Sequence, residues 1–340
     1  MNDIIIRSEL QQAFPTIIEG LARAQNIFDS IKNFEDIERL FLLGAGLSPH
    51  TYRNYLGSIK QFYKFTDGLN PLQVRSGDIE AFYDKIVKQV DRNTACLRIR
   101  GLRKFFAGIR RVIPIYTSPF EIMESKLIKK LNRVKKGNCT LPALSEGETK
   151  NLLAWLKEDR STTGLENYAI ILMLITSGLR AAELIQLKWK DIECFEGTWK
   201  ARFIGKGGLD AQQELYQPAV EACREYFIKQ QGREPGAGDP LFYSYPEGPR
   251  KSEPFVYSAL WNRLKEVGKA AKKARIIKRD ISFSAVLFRR TFATLLYKLG
   301  MKLKAIQLKT RHTSIETLAK HYIDDNESAS PYFLKIFKEE

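Results

Sequence analysis

Apolar residues along this 340-residue chain recur at a helical spacing almost everywhere, and the spacing changes to that of strands in one short stretch. From about residue 9 to 133 they follow steps of three and four, which is typical of amphipathic helices that share a core. Helices resume from Pro218. Between these parts, alternation and turn residues predict three short strands, at 191–195, 198–204 and 213–216. The sequence therefore predicts a mainly α protein with a small β-sheet in its C-terminal part.

Local signals divide the chain into a helical first part, a linker and a mixed second part. Ser48 followed by Pro49 predicts the start of a helix. Ser145, with Glu148 three residues later, has the pattern of a capping box at another helix start. The segment before it is polar and basic, as linkers often are. We expect a domain over 1–133, a linker over 134–142, a second domain over 143–325 and a tail over 326–340.

One helix of the first domain, predicted over 92–109, combines an apolar face with an arginine-rich face. The residues expected to face the core are Leu97, Ile99, Leu102, Phe105 and Phe106. Aromatic residues at this spacing are core residues in most helices, and we interpret them so.

Positive charge is concentrated in two clusters, and the formal net charge is +16, from 55 Lys and Arg against 39 Asp and Glu. The first cluster has twelve basic residues between 98 and 136. The second consists of Lys265, Lys269, Lys272, Lys273, Arg275, Lys278 and Arg279. One cluster alone is explained equally well by a solvated helix face. Two clusters in separate domains favour a clamp around duplex DNA, with RNA and acidic membranes as weaker alternatives, since each cation on a phosphate releases counterions.

Several classes of protein are disfavoured by what the sequence lacks. No stretch approaches 18 consecutive apolar residues, so we expect no membrane span. The N-terminus does not resemble a secretion signal, and the four cysteines are widely dispersed. With only three histidines, few metal ligands are available. We expect a cytoplasmic, nucleoid-associated protein without a metal or cofactor.

Four short motifs of the second domain carry charged residues in a definite order. They contain Arg180 with Glu183, Lys206 between two glycines, Arg289 with Arg290, and His312 followed by His321 and Tyr322. Arg180 stands at a predicted helix start, where backbone N–H groups favour an anion. Lys206 stands in the turn between two predicted strands. Each motif taken singly has an ordinary structural explanation.

Taken in order, the four motifs resemble the catalytic domain of the tyrosine site-specific recombinases, the phage integrase family. The resemblance extends over 144–322, and 47–111 is similar to that family's helical core-binding domain. It rests on the order and spacing of the motifs, since no single one is decisive. It implies a helical core-binding domain followed by a mixed α/β catalytic domain.

The resemblance also implies an enzyme that cleaves and rejoins DNA through a 3′-phosphotyrosyl intermediate, with no cofactor and no small-molecule substrate. Its implied partners are a double-stranded DNA core site and three further copies of itself, as a homo-tetramer on two duplexes. The matching positions are Tyr322 as nucleophile, Arg180 and Arg289 as phosphate ligands, Lys206 as general acid, His312 as phosphate donor or packing residue, and Glu183 as a brace. Guanidinium groups suit the extra negative charge of a phosphorane.

Two departures from the family pattern leave alternatives open. Val286 stands where the family usually has histidine, and the candidates to compensate are His321, Arg290 and Ser284. Tyr322 follows His312 by ten residues where nine is commoner, so the nucleophile is delivered either in cis by a different path or in trans. Arg311 also replaces the usual glycine before the histidine, which could add a phosphate contact.

Alternatives of function follow from these departures. A catalytically impaired DNA-binding relative with an architectural role is one, and a monomeric nicking-closing topoisomerase is another. The apolar residues of the tail, among them Tyr332, Phe333 and Ile336, favour a helix docked on a neighbouring protomer over one packed on its own domain. The sequence leaves open whether the reaction serves integration, excision, resolution or inversion of a mobile or chromosomal element.

Overall fold

The chain forms two separate units of contacting residues, Met1–Gly137 and Asn138–Glu340. The computed structural model describes residues 22, 26, 29–30, 34–41, 46–113, 116–123, 142–205, 208–312 and 314–322. The predicted tail 326–340, and the predicted linker except for residue 142, lie outside the described residues. Within the described ranges no helix combines the length and apolar character needed to cross a membrane.

The described part of the first unit is helical. Its helices are α1 (Phe34–Phe41), α2 (Pro49–Phe65), α3 (Ser76–Ile86), α4 (Arg92–Val112) and α5 (Pro119–Ile122), with a 3₁₀ turn at Pro71–Gln73. The predicted start of α2 is confirmed, because the Ser48 side chain accepts a hydrogen bond from the Thr51 backbone N–H and Pro49 is the first helical residue.

The core of the first unit lies between α2, α3 and α4. Phe62 packs edge-on against both Phe82 and Phe106, with ring centroids 5.2 and 6.3 Å apart. The prediction that Leu97 faces this core is wrong, since its side chain is 56% exposed. The buried face of α4 runs through Ala95 and Ile99, and a residue two positions after Ala95 is turned by about 200° from it.

The second unit combines helices with one small sheet, so the predicted fold class is confirmed. Its helices are α6 (Glu146–Glu158), α7 (Thr162–Ser177), α8 (Ala181–Gln186), α9 (Gln217–Gln231), α10 (Tyr257–Lys273), α11 (Ala285–Lys298), α12 (Leu303–Thr310) and α13 (Ile315–Tyr322), with a 3₁₀ turn at Trp189–Asp191. Ser145 and Glu148 form the predicted capping box of α6.

The sheet is antiparallel, with strand order β1 (Ile192–Phe195), β2 (Thr198–Ile204) and β3 (Asp210–Leu215). The third strand starts earlier than predicted, because pairing with β2 continues from Trp199 opposite Leu215 to Ile204 opposite Asp210. Tyr216, predicted as its last residue, is instead the N-cap of α9.

The core of the second unit is organised around α7, which is buried along most of its length. Gly178 ends α7 with a φ of +62°. A Cβ atom at this position would lie 2.4 Å from Cδ1 of Phe292 on α11. A glycine is therefore required here both by its backbone conformation and by the close approach of α11.

A smaller core joins the last three helices. Ala293 of α11, Ile306 of α12 and Leu318 of α13 are all buried and form one cluster. Since α11 carries Arg289 and α13 ends at Tyr322, this cluster determines how the backbone of the two helices meets.

Candidate active site

Arg180 is the N-cap residue of α8, as its predicted place at a helix start implies. Its Nη1 donates to Oε1 of Glu183 at 2.7 Å, and its Nη2 donates to the Arg311 carbonyl oxygen at 3.0 Å. The side chain remains 32% exposed. The guanidinium is thus held on one side by the protein and is accessible on the other.

Glu183 is the buried acceptor that holds this arrangement together, with its side chain 4% exposed. One carboxylate oxygen accepts from the Arg180 backbone N–H at 2.8 Å and from Nη2 of Arg311 at 2.5 Å. Burial alone would raise the pKa of Glu183, but the hydrogen bonds from Arg180 and the charges of Arg311 and Arg180 outweigh it and hold that pKa below its usual value. Glu183 is therefore an ionised bridge between two arginines.

Arg289 comes from the third motif and lies beside Arg180. It is 2% exposed, and its Nη1 donates to the Gly178 carbonyl oxygen at 2.5 Å. Arg180 and Arg289 both line a pocket of about 260 Å³, together with Val286, Tyr257 and Trp261. The structure thus brings together two arginines that are more than 100 positions apart in the sequence.

His312 follows Arg311, which ends α12 in the left-handed conformation with φ of 53°. The Thr310 hydroxyl donates to the Ile306 carbonyl oxygen at 2.7 Å, so we assign the 2.6 Å contact between Thr310 Oγ1 and His312 Nδ1 as a hydrogen bond donated by the imidazole. Burial, and then the charges of Arg289, Arg180 and Arg311, lower the pKa of His312 to about 4. The neutral ring at pH 7 therefore presents Nε2 as an acceptor.

Lys206 and the side chains of Tyr322 and His321 lie outside the described residues. The strands on either side of the Lys206 turn are described, and the Gly205 backbone N–H donates to the Leu209 carbonyl oxygen at 2.7 Å, closing the hairpin. The backbone of Tyr322 forms the end of α13.

The substitutes considered for the histidine absent at Val286 differ in accessibility. Val286 is 48% exposed and faces the pocket that Arg180 and Arg289 line. Ser284 lines the same pocket and caps α11, where its Oγ accepts from the Leu287 backbone N–H at 3.2 Å. Arg290 is 1% exposed and lies on the buried face of α11.

Arg311 has contacts that the sequence did not predict. Its guanidinium donates to Glu183 on α8 and to Oε1 of Gln213 on β3, and it lies 5.0 Å from the centre of the Phe203 ring on β2. Gln213 and Phe203 belong to no recognisable motif. The alternating pattern of a strand does not indicate which distant residue its side chains will contact. The one signal in the sequence was an arginine in place of a glycine.

The basic clusters divide into structural and solvent-facing residues. Arg279 donates to Glu148 at 2.9 Å and to the Ala143 carbonyl oxygen at 2.8 Å, and Lys272 pairs with Asp280 at 2.5 Å. The other charged residues of that cluster are exposed, and so are five basic residues of α4: Arg100, Arg103, Lys104, Arg110 and Arg111. Part of the second cluster thus stabilises the fold, and the remainder faces solvent as a polyanion-binding surface would.

No group of three or more His, Cys, Asp or Glu residues within the described ranges could hold a metal ion.

Comparison with known proteins gives consistent matches over both units. Residues 142–329, more than half of the chain, match the Phage integrase family, and residues 39–111 match the Phage integrase, N-terminal SAM-like domain. Tyrosine recombinase XerC of Syntrophus aciditrophicus is 25% identical over 315 residues, covering 84% of this chain and 91% of the relative. Tyrosine recombinase XerA of Pyrococcus furiosus is 30% identical over 180 residues, covering 52% of this chain and 56% of the relative.

Solved structures share the fold. The XerH site-specific recombinase bound to palindromic difH substrate, in a post-cleavage complex, superimposes with a TM-score of 0.66 at 18% identity, covering 94% of this chain and 89% of that one. The Tn1549 transposon integrase in complex with transposon right end DNA superimposes with a TM-score of 0.63 at 16% identity, covering 89% and 98%.

Proposed function

The chain belongs to the phage integrase family, and on this basis we propose that it is a site-specific recombinase that cleaves and rejoins duplex DNA through a 3′-phosphotyrosyl intermediate. The observation that carries the proposal is the meeting of Arg180, Arg289 and His312, which come from three separate motifs, around one site. Its relatives named tyrosine recombinases support the same activity.

In the proposed reaction the Tyr322 hydroxyl gives up its proton to water as its oxygen attacks a backbone phosphorus, and the bond from phosphorus to the 5′-oxygen breaks. Arg180 and Arg289 bind the nonbridging oxygens, where a phosphorane carries extra negative charge. Lys206 gives the departing 5′-oxygen its proton, which makes that oxygen a better leaving group. The reverse step, with the 5′-hydroxyl of a partner strand as nucleophile, restores the backbone and releases Tyr322. No energy source is needed, since one phosphate ester is exchanged for another.

His312 contributes in this proposal as a phosphate ligand that takes up a proton. Its neutral ring has an acceptor at Nε2, and it becomes a donor to phosphate only when protonated. An incoming phosphate opposes the arginine charges that keep the pKa of His312 low, so DNA binding favours protonation. Glu183 braces the arginines, and Arg290 and His321 have supporting places on α11 and α13.

The wider assembly belongs to the same proposal. Residues 1–133 clamp DNA, 134–142 link the units, 143–325 carry the chemistry, and the tail 326–340 docks on a neighbouring protomer of a tetramer that holds two duplexes. The exposed basic residues of both clusters support the DNA clamp, since phosphate contacts supply most affinity for duplexes. Truncation after Asn326 should then preserve strand cleavage and abolish or deregulate strand exchange.

The decisive experiment is covalent trapping. A duplex bound by the protein is selected from random sequences, and a nick is placed so that the cleaved fragment diffuses away. The wild type should form a denaturant-resistant protein–DNA adduct, and Tyr322→Phe should form none. Tyr216→Phe, which changes a tyrosine that is 54% exposed in the same unit, is the matched control and should form the adduct normally. If the wild type binds this duplex and gives no adduct, the proposed activity is wrong.

Delivery of the nucleophile is tested by mixing two inactive variants, Tyr322→Phe and Arg289→Ala, on the same trapping substrate. Delivery in cis, which we expect, gives no adduct. An adduct in the mixture would establish delivery in trans, because only a site with an intact arginine and a partner's tyrosine could form it.

A further inference from the structure

The Arg311 guanidinium lies at a junction of elements that carry the proposed catalytic residues. On one side it bonds to Glu183, which in turn holds Arg180. On the other side it bonds to Gln213 of β3 and lies over the Phe203 ring of β2. The backbone carbonyl of Arg311 also accepts a hydrogen bond from Arg180. One residue thus connects both strands of the β2–β3 hairpin to α8.

The backbone of Arg311 is in an unfavourable conformation. Its φ of 53° and ψ of 45° lie in the left-handed region, which residues with a Cβ atom avoid and glycine adopts freely. A side chain is retained in such a conformation when its own contacts compensate for the strain. The contacts of the guanidinium with Glu183 and Gln213 are of that kind, because both acceptors are buried.

The contacts of the Arg311 side chain are within the protein. Its side chain is only 17% exposed, against 32% for Arg180. Both terminal nitrogens donate to protein oxygens, and burial lowers the pKa of its guanidinium. These bonds connect the guanidinium to α8 and to β3, so its position depends on both elements.

We propose that Arg311 is a positioning residue that holds the β2–β3 hairpin against Arg180 and Glu183. The general acid carried by the hairpin is thereby positioned relative to the arginine that binds the phosphate. The inference rests on the proposed function, because it assigns the acid to Lys206, which lies in the turn of this hairpin by sequence. Two weaker ties lie alongside, from Lys309 to Glu214 at 2.6 Å and from Gln186 to the Ile204 carbonyl oxygen at 3.0 Å. Both involve exposed residues, whereas the Arg311 contacts are largely shielded from water. Hydrogen bonds are stronger in such a shielded environment than at the surface.

The test compares two leaving groups in single-turnover cleavage of the nicked duplex. One substrate has the normal 5′-oxygen at the cleaved bond, and the other has sulfur there, which leaves as a thiolate and does not need a proton. Misplacement of a reacting group by about 1 Å costs on the order of 100-fold in rate. We therefore expect Arg311→Gly to slow cleavage of the oxygen substrate about 10- to 100-fold and cleavage of the sulfur substrate less than about 3-fold, with little change in the Kd for DNA.

Other variants separate this role from alternatives. Gln213→Met, which removes the hairpin's side of the contact and leaves every proposed catalytic residue intact, should show the same dependence on the leaving group. Lys309→Met removes only the exposed ion pair with Glu214 and should change either rate less than about 2-fold. Arg180→Ala should be defective on both substrates, since the nonbridging oxygens are the same in each.

Equal loss on the two substrates for Arg311→Gly and Gln213→Met would overturn the inference, and so would wild-type rates for both variants. If Arg311→Gly does not fold, as judged by its thermal unfolding, Gln213→Met alone decides between these outcomes. Failure of the proposed function would be distinguishable, because the wild type itself would then cleave neither substrate.

Discussion

Substitution of Glu183 by glutamine removes the charge at the centre of the site and keeps the shape of the side chain. In the wild type its carboxylate accepts from the Arg180 backbone N–H, from Nη1 of Arg180 at 2.7 Å and from Nη2 of Arg311 at 2.5 Å. An amide can accept at one position only and directs an N–H₂ group at a donor in the other. Glu183→Gln should therefore lose at least one charged hydrogen bond and leave two arginines without their shared counter-ion.

The magnitude follows from burial. Removing one partner of a buried ion pair costs about 3–5 kcal/mol. Glu183 is 4% exposed, but Arg311 is 17% and Arg180 is 32% exposed, so water partly compensates the two arginines. We expect a loss of about 2–3 kcal/mol in the free energy of unfolding. For a unit of roughly 200 residues this lowers the Tm by about 5–10 °C.

The assay is thermal unfolding of the full chain at a series of pH values. The pKa of Glu183 in the folded state lies below its ordinary value of 4.5, so its stabilising effect is complete above that value and disappears as pH falls through the folded-state pKa. The Tm difference between wild type and Glu183→Gln should be largest near pH 7 and shrink in acid.

The matched control is Glu193→Gln, which removes the partner of Arg202 in an exposed pair, with Glu193 42% exposed. Surface pairs contribute about 0–1 kcal/mol, so we expect a Tm change of no more than about 4 °C. The reasoning is refuted if Glu183→Gln destabilises the protein no more than Glu193→Gln does, or if its effect does not vary with pH.

Further predictions concern the helix junction, the buried imidazole and the cysteines. Gly178→Ala should cost about 2–4 kcal/mol in thermal unfolding, because it combines a left-handed backbone with a Cβ only 2.4 Å from Phe292 Cδ1; a wild-type Tm would contradict the described packing. In NMR titrations of the free protein, the His312 ring should titrate near pH 4 and stay neutral at pH 7, with DNA raising its pKa; a free-protein midpoint near 6.5 would refute this burial. Iodoacetamide should label exposed Cys194 in the native protein and spare Cys223, whose thiol pKa is raised by complete burial; mass spectrometry of the labelled peptides checks both.

Elements with local signals agreed closely with the structure. Ser48 and Pro49 start α2, and Ser145 with Glu148 starts α6, as predicted, because a cap depends on residues three or four positions apart. The small sheet was predicted from alternation and turn residues, which are also local signals. The errors lie where pairing or packing decides. Leu97 is exposed although it belongs to the apolar series of α4 in the sequence. Strand β3 begins at Asp210 because β2 offers pairing partners that far.

The candidate site also has one part that the sequence predicted and one part that depends on packing. The order of the motifs in the sequence predicted Arg180, Arg289 and His312 as site residues, with the chemistry that the family resemblance implies. The sequence contained no information on how they meet. Arg289 reaches the Gly178 carbonyl oxygen across 111 positions, and Arg180 reaches that of Arg311 across 131. Those contacts depend on the close packing of α7 against α11, which Gly178 permits.

The sequence by itself therefore determined the fold class and the family, because periodicity and caps depend on residues a few positions apart and the order of the motifs can be read along the chain without its fold. Only the tertiary structure decided that Glu183 is ionised between two arginines, that the pKa of His312 is about 4, and that Arg311 contacts the β2–β3 hairpin. These properties arise from burial and from charges contributed by distant segments, and both exist only once the helices and the sheet have packed together.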